Sequence, residues 1–491
     1  MRIDPCGQVK ITCYIEYGWP NQTMIQQSQH NKGKKTAVLF SVQTQGISDE
    51  ENESSLLELK RLVKTMGLDV VATLTQRRPK PNTGTLVGAG KLKELAAYTG
   101  GTGIVEGFSR KSDDNSSDDV DDDDLFDSFD EADYAGLDED PTASDSPRAN
   151  VVIYDGEITT KQLQNLEGAT GVEVMDRTGV ILEIFSRHAK SREALIQVEI
   201  AKLVYLAPRI RASRMGGDRQ GGSIGAKGAG ETSHELDKRR IRDRISELRA
   251  RLVDIHKEQT RRRSRRKENF QVSLVGYTNA GKSSLMRKLT GSDVLVEDKL
   301  FATLDTRVKS MQPEAFPPVR VSDTVGFIKK LPHDLVASFQ STLDEALAAS
   351  LLLFTVDASD PAFRSQLEVT HSVLQEIGGE KIPSRLILNK IDKLSTEELE
   401  ELQDEFPDGI FISAHNPEDV ASVRKAILAF FQGDMVEGTM VIPYAKGHLL
   451  GQLRTRASIT HESYDETGTA VTFKTFPETL AWLQKKMDEG K

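Results

Sequence analysis

Eight consecutive residues, Gly276-Tyr277-Thr278-Asn279-Ala280-Gly281-Lys282-Ser283, constrain this chain more than any other stretch. They follow a short apolar run, Val272 to Val275, and lead into Ser284-Leu285-Met286, which open a helix. This is the strand–GxxxxGK[ST]–helix order of a phosphate-binding loop, in residues and in context. Each residue type has a physical reason. The glycines let backbone N–H groups wrap phosphates at a helix N-terminus. Lys282 supplies positive charge to the β and γ phosphates, and the Ser283 hydroxyl is a Mg2+ ligand. The fold expected around such a loop is a mostly parallel sheet flanked by helices.

Further elements follow in the order that a nucleotide switch needs. Phe301-Ala302-Thr303-Leu304-Asp305 precedes a strand, and Thr303 there can close over Mg2+ and the γ-phosphate. Val319 to Ser322 reads as a strand ending at Asp323-Thr324-Val325-Gly326. Asp323 would hold Mg2+ through water, and the Gly326 N–H would sense the γ-phosphate. Lys282, Thr303 and Gly326 are therefore the catalytic candidates. Leu351 to Val356 and Leu386 to Leu388 read as buried strands, the second running into Asn389-Lys390-Ile391-Asp392. Ile410 to Ile412 leads into Ser413-Ala414-His415. A carboxylate at Asp392 can accept from guanine N1–H and from the exocyclic amine, a donor pair that adenine lacks. A buried acceptor left unpaired costs about 1–3 kcal/mol, so GTP is expected over ATP. Lys390 would cover the base, Asn389 would brace the loops, and Ser413, Ala414 and His415 would complete the pocket. A surface Asn-Lys turn explains one such element, not all of them in order. Phe327 stands where many small GTPases place a water-orienting glutamine, so slow intrinsic turnover and activation by a partner are expected. Asn279 has two readings, a ligand for a monovalent cation such as K+ or a brace within the loop.

Elsewhere the chain alternates. Strand patterns at Thr36 to Val42, Asp69 to Leu74, Val151 to Tyr154 and Val172 to Met175 are separated by helical patterns at Ser54 to Gly67, Lys91 to Tyr98 and Thr160 to Leu166. That alternation implies an α/β domain over 36–190, preceded by a loose tail, 1–35. The net charge of −11 over 491 residues hides two opposed regions. Residues 112–147 hold 16 acidic and no Lys or Arg residues, so 109–149 is expected to be a disordered acidic insert. Residues 209–268 hold 19 basic against 9 acidic residues, a surface suited to phosphates. Ile196, Ile200, Leu203 and Ala207 line one helical face, and Ile241, Ile245, Leu248, Leu252 and Ile255 line another, as in an antiparallel hairpin over 191–268. The glycine-rich loop 215–231 joins the two, with Arg214, Arg219 and Lys227 beside or among its glycines. It is a flexible linker or a tip that enters an RNA-lined cavity. The phosphate-binding domain is expected over 269–434 and a small α/β domain over 435–491, with strands near Met440 to Pro443 and Val471 to Phe473. No run approaches the ~18 apolar residues of a membrane helix. Two cysteines, Cys6 and Cys13, are too few for a disulfide framework, so a cytoplasmic setting is expected.

Several blocks outside the loop narrow this further. Gln162-Leu163-Gln164-Asn165-Leu166-Glu167, Asp176-Arg177-Thr178, Ile181 to Phe185, Gln197 to Ala201, Pro208-Arg209 and Gly221 to Thr232 together resemble the HflX family of ribosome-associated GTPases. The segments Phe301 to Asp305 and Asp323 to Phe327 are similarly characteristic. The resemblance implies a four-part protein: an α/β N-terminal domain, a helical hairpin, a P-loop GTPase domain and a small C-terminal domain. It implies binding to the large ribosomal subunit, with the hairpin and its loop near the peptidyl-transferase rRNA. It also implies GTP-dependent splitting or rescue of idle ribosomes under stress, in a monomer. ATP binding by the N-terminal domain is implied too, at Val87-Gly88-Ala89-Gly90-Lys91. Arg261, Arg262 and Arg263 open a basic stretch that reads as a hinge contacting rRNA phosphates, or as a merely solvated hinge. Two alternatives stay open: a GTPase that matures rRNA or tRNA, and an RNA-binding module with a structural nucleotide.

Overall fold

The computed structural model describes residues 35–105, 148–209, 233–264, 270–291, 300–301, 307–330 and 346–488. The tail 1–34, nearly all of the acidic insert and the glycine-rich loop lie outside these residues, as does Thr303.

The N-terminal unit runs β1 (Thr36–Gln43), α1 (Asp49–Thr65), β2 (Asp69–Arg77), α2 (Ala89–Thr99), β3 (Val151–Tyr154), α3 (Thr160–Thr170), β4 (Glu173–Asp176) and α4 (Arg177–His188). Its four strands pair in parallel in the order β2-β1-β3-β4. Every residue of β1 is buried, as expected of an inner parallel strand covered on both faces. Its alternate residues divide between the two layers. Ala37 and Leu39 join Leu59, Leu62, Ile181 and Phe185 of α1 and α4, whereas Val38, Phe40 and Val42 join Leu92, Leu95, Leu166 and Ala169 of α2 and α3. Ser48, Thr159 and Asp176 cap α1, α3 and α4 through their side-chain oxygens.

One boundary and one helix differ from expectation. The insert ends earlier than Ala149, since Ala149 is buried and its N–H donates to Tyr98 O at 2.8 Å. Arg148 O also accepts from the Thr36 hydroxyl at 2.7 Å, so these two residues belong to the sheet's margin. The helix α4, not read as a helix in the sequence, is buried over most of its surface, including Val180, Ile181, Leu182, Ile184 and Phe185.

The hairpin is α5 (Arg192–Leu206) and α6 (Ser233–Ser264). Helix α5 has two buried faces: Ala194, Val198 and Ala201 enter the core of the N-terminal unit, while Ile196 and Ile200 meet Leu248, with Leu203, Ile245, Leu252 and Ile255 against them. Ala207 and Ile241, expected in this seam, are not part of the cluster. Helix α6 continues through Arg261, Arg262 and Arg263 to Ser264, so these residues are not in a hinge. Arginine is a good helix former, and cations suit the negative end of the helix dipole.

The next unit runs β5 (Phe270–Val275), α7 (Lys282–Thr290), β6 (Arg307–Ser310), β7 (Val319–Asp323), β8 (Leu351–Asp357), α8 (Phe363–Glu376), β9 (Ser384–Asn389), α9 (Thr396–Glu405), β10 (Ile410–Ile412) and α10 (Pro417–Gln432). Its sheet has the order β10-β9-β8-β5-β7-β6, parallel except for the edge strand β6. The last unit is β11 (Val436–Pro443), α11 (Gly447–Arg456), β12 (Ser458–Asp465), β13 (Gly468–Thr475) and α12 (Pro477–Asp488), with an antiparallel sheet ordered β11-β13-β12. Phe476 stacks on Phe270 at 5.1 Å and joins this unit to β5.

Leu248 is 1% exposed at the centre of the hairpin seam. Leu248→Ala should cost about 2–5 kcal/mol locally, because the two helices cannot close fully over the gap. Hydrogen exchange should show faster opening of α5 and α6 while exchange in β5, β8 and β9 stays unchanged; unaltered protection in the hairpin would contradict this packing.

Candidate functional site

The carboxyl ends of β5, β7, β9 and β10 converge on one edge of the sheet, where ligands bind in open α/β folds. The loop Gly276–Gly281 leaves β5 there and turns into α7. Two positions admit no side chain. Gly276 has φ +148°, and a Cβ would lie 2.1 Å from Thr355 O; Gly281 has φ +93°, and a Cβ would lie 2.1 Å from Asn389 Nδ2. Asn279 occupies the left-handed region at φ +61°, which Asn tolerates better than most residues. Helix α7 has no side-chain cap, so its first N–H groups face the loop.

Lys282 is buried and folded back on its own loop, donating to Gly276 O at 3.0 Å and Tyr277 O at 2.6 Å. Burial pushes its ammonium down to about 8, with the Asp323 carboxylate pulling the other way. The Ser283 hydroxyl donates to Asp323 Oδ2 at 2.6 Å. A hydroxyl and a carboxylate thus meet at one point beside the phosphate loop, a hard oxygen pair that fits Mg2+. Thr324, Val325 and Gly326 follow, with Thr324 hydrogen-bonded to Leu274 O at 2.8 Å. Phe327 O accepts from Thr278 N at 2.9 Å, and Phe327 N donates to Gly276 O at 3.2 Å, so this segment is joined to the phosphate loop.

Asn389 braces the loops as expected. Its Nδ2 donates to Ala280 O at 2.9 Å and its Oδ1 accepts from Ala414 N at 3.0 Å. Asp392 sits in the turn that follows, hydrogen-bonded to the Ser413 side chain, which holds its carboxyl below the usual carboxylate range. Ser413 and Ala414 are buried and His415 is exposed. Lys390, in the left-handed region at φ +66°, pairs with Asp357 Oδ2 at 2.6 Å.

Ser284 lies in the first turn of α7. Of the first-switch residues, Ala302 and Thr303 are outside the described set, and the Phe301 ring is buried against Phe185 at 4.6 Å, in the same cluster as Tyr277 of the phosphate loop. Among the RNA candidates, Arg214, Arg219 and Lys227 lie outside it too, and Arg261 is exposed on α6. The backbone of α6 passes through Arg262 and Arg263. Sequence reasoning missed Asp357, which holds Lys390, and Asp419, whose Oδ2 accepts from Ser413 N at 2.7 Å. A carboxylate closing the apolar run Leu351 to Val356, at the edge that carries NKID, was the available signal for the first.

A glycine-bounded loop on a parallel sheet, a Ser–Asp oxygen pair and an Asn-braced NKID turn define a P-loop GTPase. Comparison with known families agrees. Residues 271–390 match the family described as 50S ribosome-binding GTPase, residues 53–105 and 137–186 match GTP-binding GTPase N-terminal, and residues 188–266 match GTP-binding GTPase Middle Region. GTPase HflX of Gluconacetobacter diazotrophicus is 51% identical over 92% of this chain and 97% of that relative. GTPase HflX of Escherichia coli is 32% identical over 90% of this chain and 93% of that relative. A GTP-binding protein from Sulfolobus solfataricus, solved with GDP, is 22% identical over 80% of this chain and 99% of that chain, with a TM-score of 0.40, too distant a likeness to carry a residue's role across. The chain belongs to the HflX family, a family of ribosome-associated GTPases, and it hydrolyses GTP.

The depressed Lys282 gives a pH dependence. A bound phosphate favours the ammonium, so the loaded protein keeps a proton that the free protein sheds above about 8. Nucleotide affinity should be level below that pH and fall by up to about tenfold per unit above it. Titration of a fluorescent GDP analogue from neutral to alkaline pH, with calorimetry in two buffers of different ionisation heat, should show alkaline weakening and proton uptake. A flat profile would contradict the depressed lysine.

Proposed function

We propose that this chain binds the large ribosomal subunit and uses GTP to dissociate or rescue idle or stalled ribosomes. One observation carries the reading. Val325, Phe327 and Ile328, the residues around and after the γ-phosphate-sensing Gly326, belong to the same buried cluster as Ile181 and Phe185 of α4 and Ala194, Val198 and Ala201 of α5. The nucleotide segment, the N-terminal unit and the root of the hairpin thus share one packed core. Cores have discrete arrangements rather than a continuum, so a change at the phosphate edge can reorient the hairpin.

In this reading Gly276 to Ser284 wrap the phosphates, and Lys282, Thr303 and Gly326 stabilise and sense the γ-phosphate. Ser283, Thr303 and, through water, Asp323 hold Mg2+, which supplies charge neutralisation to the phosphates. Asp392 reads guanine, Lys390 covers the base after exchanging Asp357, and Ser413 to His415 close the pocket. Phe327 is 3% exposed and faces the N-terminal core, so its side chain cannot orient water. Turnover is therefore slow until the ribosome supplies that group. K+ at Asn279 is one source of such help. The hairpin tip, with Arg214, Arg219 and Lys227, reaches rRNA near the peptidyl-transferase centre, and Arg261, Arg262 and Arg263 meet phosphates from the end of α6. ATP binding at Gly88 to Lys91 belongs to the same reading; there Gln76 and Glu94 would have to release Gly88 N–H and Lys91 Nζ, held at 2.9 and 2.7 Å. The protein acts as a cytoplasmic monomer, and among the described residues no helix is long and apolar enough to cross a membrane.

Density gradients of intact ribosomes test this. The parent protein with GTP should convert them to subunits, and with GDP should not. Asp392→Asn should lose splitting with GTP and regain it with xanthosine triphosphate, because the amide donates to the altered ring. An unchanged profile with the parent protein and GTP would favour a maturation factor, and splitting that ignores the nucleotide would favour a structural GTP.

A further inference from the structure

A polar cluster lies inside the contact between the phosphate loop and the N-terminal unit. Arg177, at the start of α4, is 2% exposed and bridges two carboxylates of its own unit, Glu58 on α1 and Asp155 after β3. Its bond to Asp155 Oδ1 is 2.6 Å. Each carboxylate has a second partner from the nucleotide unit. The Tyr277 hydroxyl, on the phosphate loop, donates to Glu58 Oε1 and accepts from Lys329 N at 2.5 Å. Lys330 Nζ donates to Asp155 Oδ2 at 3.0 Å, to Ser55 Oγ at 3.0 Å and to Asp155 O at 3.3 Å. Lys330 itself sits in the left-handed region at φ +55°. Ser55 Oγ donates to Asp155 Oδ2 at 2.5 Å.

The charges explain why the contact is selective. Within the N-terminal unit, two carboxylates face one guanidinium, an excess of one negative charge in a buried place. Lys330 supplies the missing positive charge. Burial raises the Asp155 carboxyl, but Arg177 and Lys330, with bonds from Ser55 and Lys330, outweigh it and hold the group below its usual range. Separation would strand that charge, so intermediate positions are penalised and the contact is either made or broken. Lys329 and Lys330 lie in the segment that runs on from Gly326 through Phe327 and Ile328, and Ser283 and Asp323 bond each other while the contact is made.

We infer that Tyr277 and Lys330 are positioning residues for the γ-phosphate-sensing segment, acting through Glu58 and Asp155 to couple nucleotide identity to docking of the N-terminal unit. This rests on the reading that the segment after β7 senses the γ-phosphate. By linkage, a contact that only one nucleotide state permits must bias affinity for GTP against GDP.

The test uses full-length protein and equilibrium binding of GDP and of a non-hydrolysable GTP analogue, each with Mg2+. Tyr277→Phe keeps the ring and removes the hydroxyl; Lys330→Met keeps the length and removes the charge. Each should change the GTP-to-GDP affinity ratio by at least about fivefold. Lys330→Arg should restore the parent ratio, which a general loss of stability would not allow. In Glu58→Gln, adding Tyr277→Phe should change the ratio no further. Ratios within twofold of the parent in both single variants, with thermal unfolding showing folded proteins, would overturn the coupling. So would additive effects of Glu58→Gln and Tyr277→Phe. These readouts need no ribosome. If they stay flat while the parent protein still splits ribosomes with GTP, the coupling alone fails; if the parent does not split them, the functional reading fails.

Discussion

The nucleotide edge depends on a steric condition: the turn between β5 and α7 must lie flat against Thr355 and Asn389. No side chain fits at Gly276 or Gly281, where a Cβ would approach these neighbours to 2.1 Å. With the turn pressed down, Asn389 can reach Ala280 O on one side and Ala414 N on the other. One amide therefore fixes the phosphate loop, the base-reading turn and the loop after β10 relative to one another. Lys282 is buried by the same close packing, which is why its proton is held weakly and why the loop carbonyls of Gly276 and Tyr277 take its hydrogen bonds.

Helix α5 plays the corresponding part on the other side. It is apolar on two opposite stripes, one entering the N-terminal core and the other forming the seam with α6. Helix α6 is held chiefly by that seam, supported by ion pairs such as Arg244 with Glu199 at 2.7 Å. A rigid lever with one buried root suits a part that must reach away from the sheet. The cluster around Arg177 secures the root's neighbourhood to the phosphate loop. Breaking one partner of such a buried set typically costs about 3–5 kcal/mol, comparable with a useful fraction of a domain's stability.

Much of this was legible in the chain. Strands β1, β3, β5, β8 and β10 show as short apolar runs, and Gly281 closes the loop that opens α7. The loop and NKID geometry could be anticipated because each residue there answers to local chemistry. What stayed hidden depends on partners distant in sequence. Arg177 and Glu58 are 119 residues apart, Tyr277 and Glu58 are 219 apart, and a charged residue gives no local sign of being buried. The contact of Phe301 with Phe185 is again a tertiary matter. Strand β12 is polar and has no buried residue, so hydrophobic alternation could not reveal it. The arginines after Thr260 looked like a linker only because charge was read without helix propensity.

The bond from Ala149 N to Tyr98 O, with that from Gly103 N to Ala169 O at 2.9 Å, anchors both chain ends that bracket residues 106–147 to the neighbouring helices α2 and α3. Closing such a gap costs an entropy that grows only logarithmically, about 0.6 kcal/mol for each doubling of length. The fold is thus nearly indifferent to how many residues are inserted there, and evolution can lengthen, shorten or recompose that stretch without renegotiating the architecture beneath it.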